Sequence, residues 1–352
     1  MWCRTLLVCA VGLGLSLGLP ALRAEAGPSG GTAIVGDFNA DGVSDVAFRS
    51  SAGDIAFWLT QNLTISGGSG FTGVGANFVL KGAADVNGDK ISDILIYDTS
   101  TSEISIWFMA YDSGSGAVTI GSSADVGNSG GAVPVGFGQM NPATDSIPDL
   151  LLFNPGTGEV DTWYLDNTGH FAGGGEIGTL NGTTFVPIAV GDFSGTGTPT
   201  LILRDTGASP SIGFWELSSG SLAVNRGSGF LLPASFNVLH ASVDYNHDTK
   251  TDLVLQDSGS GDVTIWFMTA DSGTQPSILG SPPVIPAGTN VVVGDGVFAP
   301  ATSTDPDLLL QQQASPVINV GIYELIAGVF NAGGFVGAPP IIYNVVNNGQ
   351  PN

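Results

Sequence analysis

Apolar and polar positions recur along this chain with a long period. Six times a short apolar run appears: DVAFR, DILIY, DLLLF, TLILR, DLVLQ and DLLLQ. Each is followed, after a polar turn, by a stretch around a large aromatic residue: DIAFWL, EISIWFM, EVDTWYL, SIGFWEL, DVTIWFM and INVGIYEL. The first kind reads as a strand buried on both faces and the second as an alternating strand. Both are too short and too rich in β-branched and aromatic residues for helices. The turns between them, SSAGD, TSTSE, NPGTGE and DSGSGD, carry the Gly, Ser, Asn and Asp that tight hairpins require.

The aromatics Trp58, Trp107, Trp163, Trp215, Trp266 and Tyr323 mark a repeat of about fifty residues. A strand-rich repeat of that length predicts an all-β chain folded as a β-propeller, each repeat one four-stranded antiparallel blade. Expected repeats are 31–77, 78–131, 132–184, 185–235, 236–288 and 289–340. Repeats one and four share GSGF, two and five share IWFM with a following DSG, and three and six share HFAGGG and VFNAGG as tails. This three-plus-three organisation favours six blades. The C-terminal FVGAPPIIYNVV is expected to supply a closing strand beside Thr32–Gly36, leaving no long unprotected edge.

Acidic loops precede three of the apolar runs: DFNADGVSD (37–45), DVNGDKISD (85–93) and DYNHDTKTD (244–252). In each, oxygen-bearing side chains occupy loop positions one, three, five and nine: Asp37, Asn39, Asp41 and Asp45; Asp85, Asn87, Asp89 and Asp93; Asp244, Asn246, Asp248 and Asp252. Converging carboxylates repel, and a hard, oxygen-loving cation relieves the repulsion, so about three calcium sites are expected. An EF-hand is excluded, because its position twelve demands Glu and here holds Phe48, Ile96 and Leu255. The alternative is a polar turn in which Asp and Asn cap their own backbone. Position six is Gly42, Lys90 and Thr249; a left-handed turn there would favour the first loop.

These loops, with DILIY and EISIWFM after them, resemble the FG-GAP or VCBS repeats of integrin-alpha-type β-propellers. The resemblance spans most of the chain. It implies calcium held by positions one, three, five and nine together with the position-seven carbonyls of Val43, Ile91 and Lys250, in loops joining the first two strands of a blade. The family most often has seven blades, which leaves seven as the alternative count. The fourth repeat departs from the pattern, with Asp192, Ser194, Thr196 and Thr200. In repeats three and six the loop appears four residues longer, Phe137 to Asp149 and Asp295 to Asp307, with Phe137 in place of the first aspartate and no metal expected.

Composition narrows the remaining choices. Residues 1–26 read as an export signal, with Arg4, an apolar stretch to Leu19 and Ala24-Glu25-Ala26, leaving one mature domain from 27 to 352 and no membrane-spanning segment. Both cysteines, Cys3 and Cys9, fall inside that signal, so no disulfide is expected. A net charge of −23, with eight basic against thirty-one acidic residues, argues against nucleic acid as a partner. Catalytic residues are not identified: the histidines are His170, His240 and His247, and no serine sits in a nucleophile elbow. The expectation is a secreted or cell-surface, monomeric, calcium-binding propeller acting as a binding or adhesion module for a protein or carbohydrate. A lectin using inter-blade aromatics is the runner-up, and a glycan-active enzyme comes third.

Overall fold

The computed structural model describes residues 32–337 except 51, 142–144, 181, 196, 198, 208–210, 218–223, 234, 241–242, 270–276, 279–283, 286–289, 301–303, 313–319 and 327. The expected export signal at 1–26 and most of the expected C-terminal closing strand lie outside the described residues. Among the described residues no helix is long and apolar enough to cross a membrane.

The chain is a β-propeller of antiparallel four-stranded sheets, in which consecutive strands pair in order. The first sheet holds Thr32–Gly36, Asp45–Arg49, Ile55–Gln61 and Thr64–Phe71. The second holds Phe78–Ala84, Asp93–Asp98, Glu103–Asp112 and Ala117–Asn128, and the third Val133–Gly138, Asp149–Phe153, Glu159–Leu165 and Phe171–Thr179. The fourth holds Phe185–Gly191, Thr200–Asp205, Ser211–Leu217 and Val224–Leu231. The fifth holds Phe236–His240, Leu253–Asp257, Val263–Trp266 and Val284–Ile285, and the sixth Asn290–Gly296, Asp307–Gln312, Val320–Ile326 and Val329–Gly337. The fifth is irregular: its outer strand has two residues, and Met268–Thr269 pairs with Ser277–Ile278 as a separate ribbon. The expected count of six blades, with seven as the alternative, is therefore corrected to five regular blades, the fifth-repeat sheet departing from the plan among the described residues.

Each apolar run becomes the second strand of its sheet, and its two faces pack on two different neighbours. Leu150 and Leu152 join Leu95 and Ile106 of the second sheet, whereas Leu151 joins Leu201 and Leu203 of the fourth. Leu308 and Leu310 turn toward Val254 and Ile265, and Leu309 toward Val46 and Phe48 of the first sheet. Strand periodicity puts successive residues on opposite faces, so burial between two neighbours demands an unbroken apolar run. Six such clusters join first to second, second to third and so on around to sixth with first, so the ring closes through its apolar cores.

Third-strand aromatics belong to the same clusters. Trp58, Trp107, Trp163, Trp215, Trp266 and Tyr323 each pack toward the preceding sheet. Glycines on that sheet's outer strand admit them: an added Cβ at Gly178 would lie 3.3 Å from Trp215. The hairpin turns are Asx turns, in which Asp98, Asn154, Asp205 and Asp257 accept the amide two residues on at 2.7–3.0 Å.

Candidate functional site

The loops joining first and second strands share one plan. At position two stands a large buried apolar residue: Phe38, Val86, Met140, Phe193, Tyr245 and Phe298. Its amide donates to the carboxylate at position nine, which also takes an amide from the third strand or, in the fifth sheet, from Met268 just beyond it. Asp45 accepts from Phe38 and Thr60, Asp93 from Val86 and Met109, and Asp252 from Tyr245 and Met268. In the repeats without a full acidic pattern, Asp149 accepts from Met140 and Leu165, and Asp307 from Phe298 and Leu325. All ten bonds measure 2.8–3.1 Å. The five carboxyls are at most 1% exposed. In the fourth repeat Thr200 stands at position nine, and Leu217 donates instead to the carbonyl of Pro199.

This register corrects the reading of repeats three and six. Gln139 and Val297 are the residues before the clamped amide, so they occupy position one, not Phe137 and Asp295. Both loops are two residues longer than the others rather than four, and Asp149 and Asp307 are not displaced. Phe137 lies one strand residue before Gly138 and packs its ring against Gly82.

The three full loops carry the same four hydrogen bonds. The position-five amide (Asp41, Asp89 or Asp248) donates to Oδ1 of both the position-one and position-three side chains. The position-six amide donates to the other oxygen of position one, and the position-seven amide to Oδ1 of position five. All twelve distances lie between 2.7 and 3.2 Å. Because one amide is shared, the oxygens of Asp37 and Asn39, and their counterparts, are drawn to the same side of the loop. Position six is left-handed throughout: Gly42 has φ 80°, Lys90 74° and Thr249 71°, so two loops place a side chain in glycine-favouring backbone.

An ion here would meet two carboxylates that are half-buried or exposed, one amide oxygen and one carbonyl per loop, with the position-nine carboxyl already holding two amides. Among the described residues no group of three acidic, histidine or cysteine side chains is gathered to hold an ion alone. Burial pushes Asp45 and Asp252 up to about 7 and Asp93 up to about 6; the two amides pull each down, and the neighbouring loop aspartates add to the rise. The donor set suits a hard cation, since a positive charge would relieve that repulsion.

A stitch between neighbouring loops was not foreseen. The position-eight residue donates its amide to the position-one carbonyl of the preceding sheet's loop and receives that residue's amide on its hydroxyl. Ser92 does this with Asp37, Thr251 with Asp192, and Ser44 with Val297, at 2.7–3.0 Å. The strand-ending glycines Gly36, Gly191 and Gly296 make room, since an added Cβ would strike Ser92, Thr251 or Ser44 within 2.8 Å. The other three loops have Pro148, Pro199 and Pro306 at position eight, which cannot donate. That division between Ser or Thr and Pro is visible in the sequence.

His247 occupies position four of the fifth loop, with its side chain 55% exposed and its ring paired with Asp305 of the next loop. That carboxylate raises its pKa above the ordinary value. Beneath it Tyr245 donates to Asp295 at 3.3 Å, and complete burial drives the phenol well up.

No family model matches the chain, and no curated protein matches it. Among solved structures, a triple arginine-to-alanine mutant of AofleA from Arthrobotrys oligospora is 13% identical with a TM-score of 0.50, covering 88% of this chain and 86% of its own. A lectin of Agrocybe aegerita, described for specific recognition of non-reducing terminal N-acetylglucosamine, is 11% identical with a TM-score of 0.49, covering 88% of this chain and 80% of its own. A protein from Lactobacillus plantarum is 12% identical with a TM-score of 0.44 over 90% of this chain and 85% of its own. At such identities the likeness concerns the fold alone.

Proposed function

We propose that this chain is an exported binding module of the FG-GAP/VCBS kind, its ring completed by the fifth-repeat sheet as a sixth blade and its first, second and fifth loops each holding calcium. The observation that carries the proposal is the identical four-bond array in those three loops and its reduction elsewhere. Asp37, Asn39, Asp41 and the carbonyl of Val43 hold one ion; Asp85, Asn87, Asp89 and Ile91 the next; Asp244, Asn246, Asp248 and Lys250 the third. Asp45, Asp93 and Asp252 close each set from below. The ion supplies positive charge to a crowded acidic loop, and because only the folded loop gathers those oxygens, binding adds to stability. The leader at 1–26 delivers a monomer to the cell surface or beyond, where it binds a protein or a carbohydrate.

Carbohydrate is the second reading, favoured by aromatics left open at the blade edges. Phe171 is 48% exposed and stands edge-on to Trp163 at 5.3 Å, and Phe330, 44% exposed, stands so to Tyr323 at 5.0 Å.

Isothermal calorimetry of calcium into chelator-treated protein, beside thermal unfolding with and without calcium, tests the metal. Three binding events and a raised melting temperature are expected. No heat and no shift would remove calcium and leave the loops as Asx turns.

A further inference from the structure

At the junction of the third and fourth sheets the loop stitch is missing. The residue that would make it is Pro199, which has neither an N–H for the carbonyl of Gln139 nor a hydroxyl for its amide. Gly138 there abuts Val190 of the neighbouring inner strand, whereas Gly36, Gly191 and Gly296 abut the stitching side chain itself. Close packing thus occurs one level deeper, and the loops above stand apart. A cleft of about 440 Å³ lies between them, walled by Phe137, Pro148 and Pro199, with Gln139, Asp192 and Thr251 as polar groups. That volume falls within the range of small-ligand sites.

The lining decides the ligand chemistry. Among the described residues no lysine, arginine or histidine lines the cleft, and the chain carries −23, so phosphates, sulfates and carboxylates are disfavoured locally and at long range. A small cation is not called for either: the oxygens of Asp192 already accept the amides of Ser194, Gly195 and Gly197 and the Ser194 hydroxyl. What remains suited is a neutral molecule with one apolar face for the ring and prolines and a hydroxyl-bearing edge for the Gln139 amide and the Thr251 hydroxyl. A pyranose has that anatomy. We propose that this cleft, beside Pro199 at the junction of the third and fourth sheets, binds a neutral sugar residue; the inference rests on the carbohydrate reading above and moves its site from the blade-edge aromatics to the loop face.

Saturation-transfer NMR on the full chain tests it, with methyl glycosides of neutral hexoses and of N-acetylhexosamines as probes and methyl glucuronide as the charged control. At least one neutral glycoside is expected to bind, and its affinity is expected to fall about tenfold or more in both Phe137→Leu and Gln139→Lys. Gln139→Lys keeps a donor for the carbonyl of Asp145, which Gln139 Nε2 meets at 2.7 Å, so it decides the matter if Phe137→Leu fails to fold. A sugar that binds equally well to Gln139→Lys overturns the cleft while leaving the carbohydrate reading standing. Failure of every neutral glycoside to bind, or equal binding of the glucuronide, overturns the cleft as well; the calcium calorimetry is judged independently of both.

Discussion

Asp149 and Asp307 belong to loops outside the acidic pattern, yet they are buried as deeply as Asp45 and hold the same pair of amides. The carboxylate at position nine is therefore first a structural clamp, whatever else it does in the full loops. Asp149→Ala would strand two buried N–H groups and should cost about 2–5 kcal/mol, measurable by denaturant unfolding; a loss under 1 kcal/mol, about one ordinary hydrogen bond, would refute the clamp. The pH dependence follows from the same residues. Burial pushes Asp149 and Asp307 up to about 6 against the pull of their amides. An unfolded aspartate titrates near about 3.9, so between there and about 6 the folded chain holds protons that the unfolded chain has released. Their stabilisation is full below about pH 4 and is lost as pH rises through 6. Half-buried Asp98, where burial is outweighed by hydrogen bonds from Asn77, Ser100 and Thr101 that draw it down to about 2, works the other way only below about pH 4. In chelator, the melting temperature should fall from pH 4 to pH 7, and a rising profile would contradict the assignment.

Elements were legible where the pattern is local. The unbroken apolar runs, most of the aromatic strands and the tight turns at Asp98, Asn154, Asp205 and Asp257 formed as the residues imply, whereas the fifth repeat's aromatic strand is interrupted after Trp266. Loop register was not, because Phe137 and Asp295 were aligned by chain distance whereas the amide of Met140 or Phe298 on the buried carboxyl sets it in space. The stitches escaped notice for the same reason: Ser44 and Val297 lie 253 residues apart. Gly191→Ala would drive a Cβ to 2.6 Å from Thr251 and should cost about 1–3 kcal/mol, whereas Thr251→Ala, losing one hydroxyl bond, should cost about 1 kcal/mol. Equal effects in a denaturant titration would mean the glycine is not there for close approach.

The whole molecule is a ring of six apolar junctions carrying a net charge of −23. Self-repulsion at that charge opposes the compact state, and salt screens it: the Debye length falls from about 30 Å at 10 mM to about 8 Å at 150 mM. Metal-free protein should therefore melt at a higher temperature in 150 mM than in 10 mM sodium chloride, by differential scanning calorimetry. An unchanged or lower melting temperature would show that the acidic loops are already neutralised within the fold. Three junctions are stitched by Ser or Thr and three have proline at that place, so the ring is chemically uneven at its loop face despite the even spacing of its aromatics.

The sequence by itself determined the all-β class, the fifty-residue repeat, the second and third strands of most repeats and the three acidic loops, because each rests on side-chain periodicity or on contacts within a few residues. Tertiary structure alone decided the rest. It split each apolar run between two neighbouring sheets, interrupted the fifth repeat's aromatic strand after Trp266, assigned the position-nine aspartates to backbone amides and placed a cleft beside Pro199. Those outcomes depend on which groups from distant repeats meet in space, and a chain of residue types records a carboxylate or a proline without recording what stands opposite it.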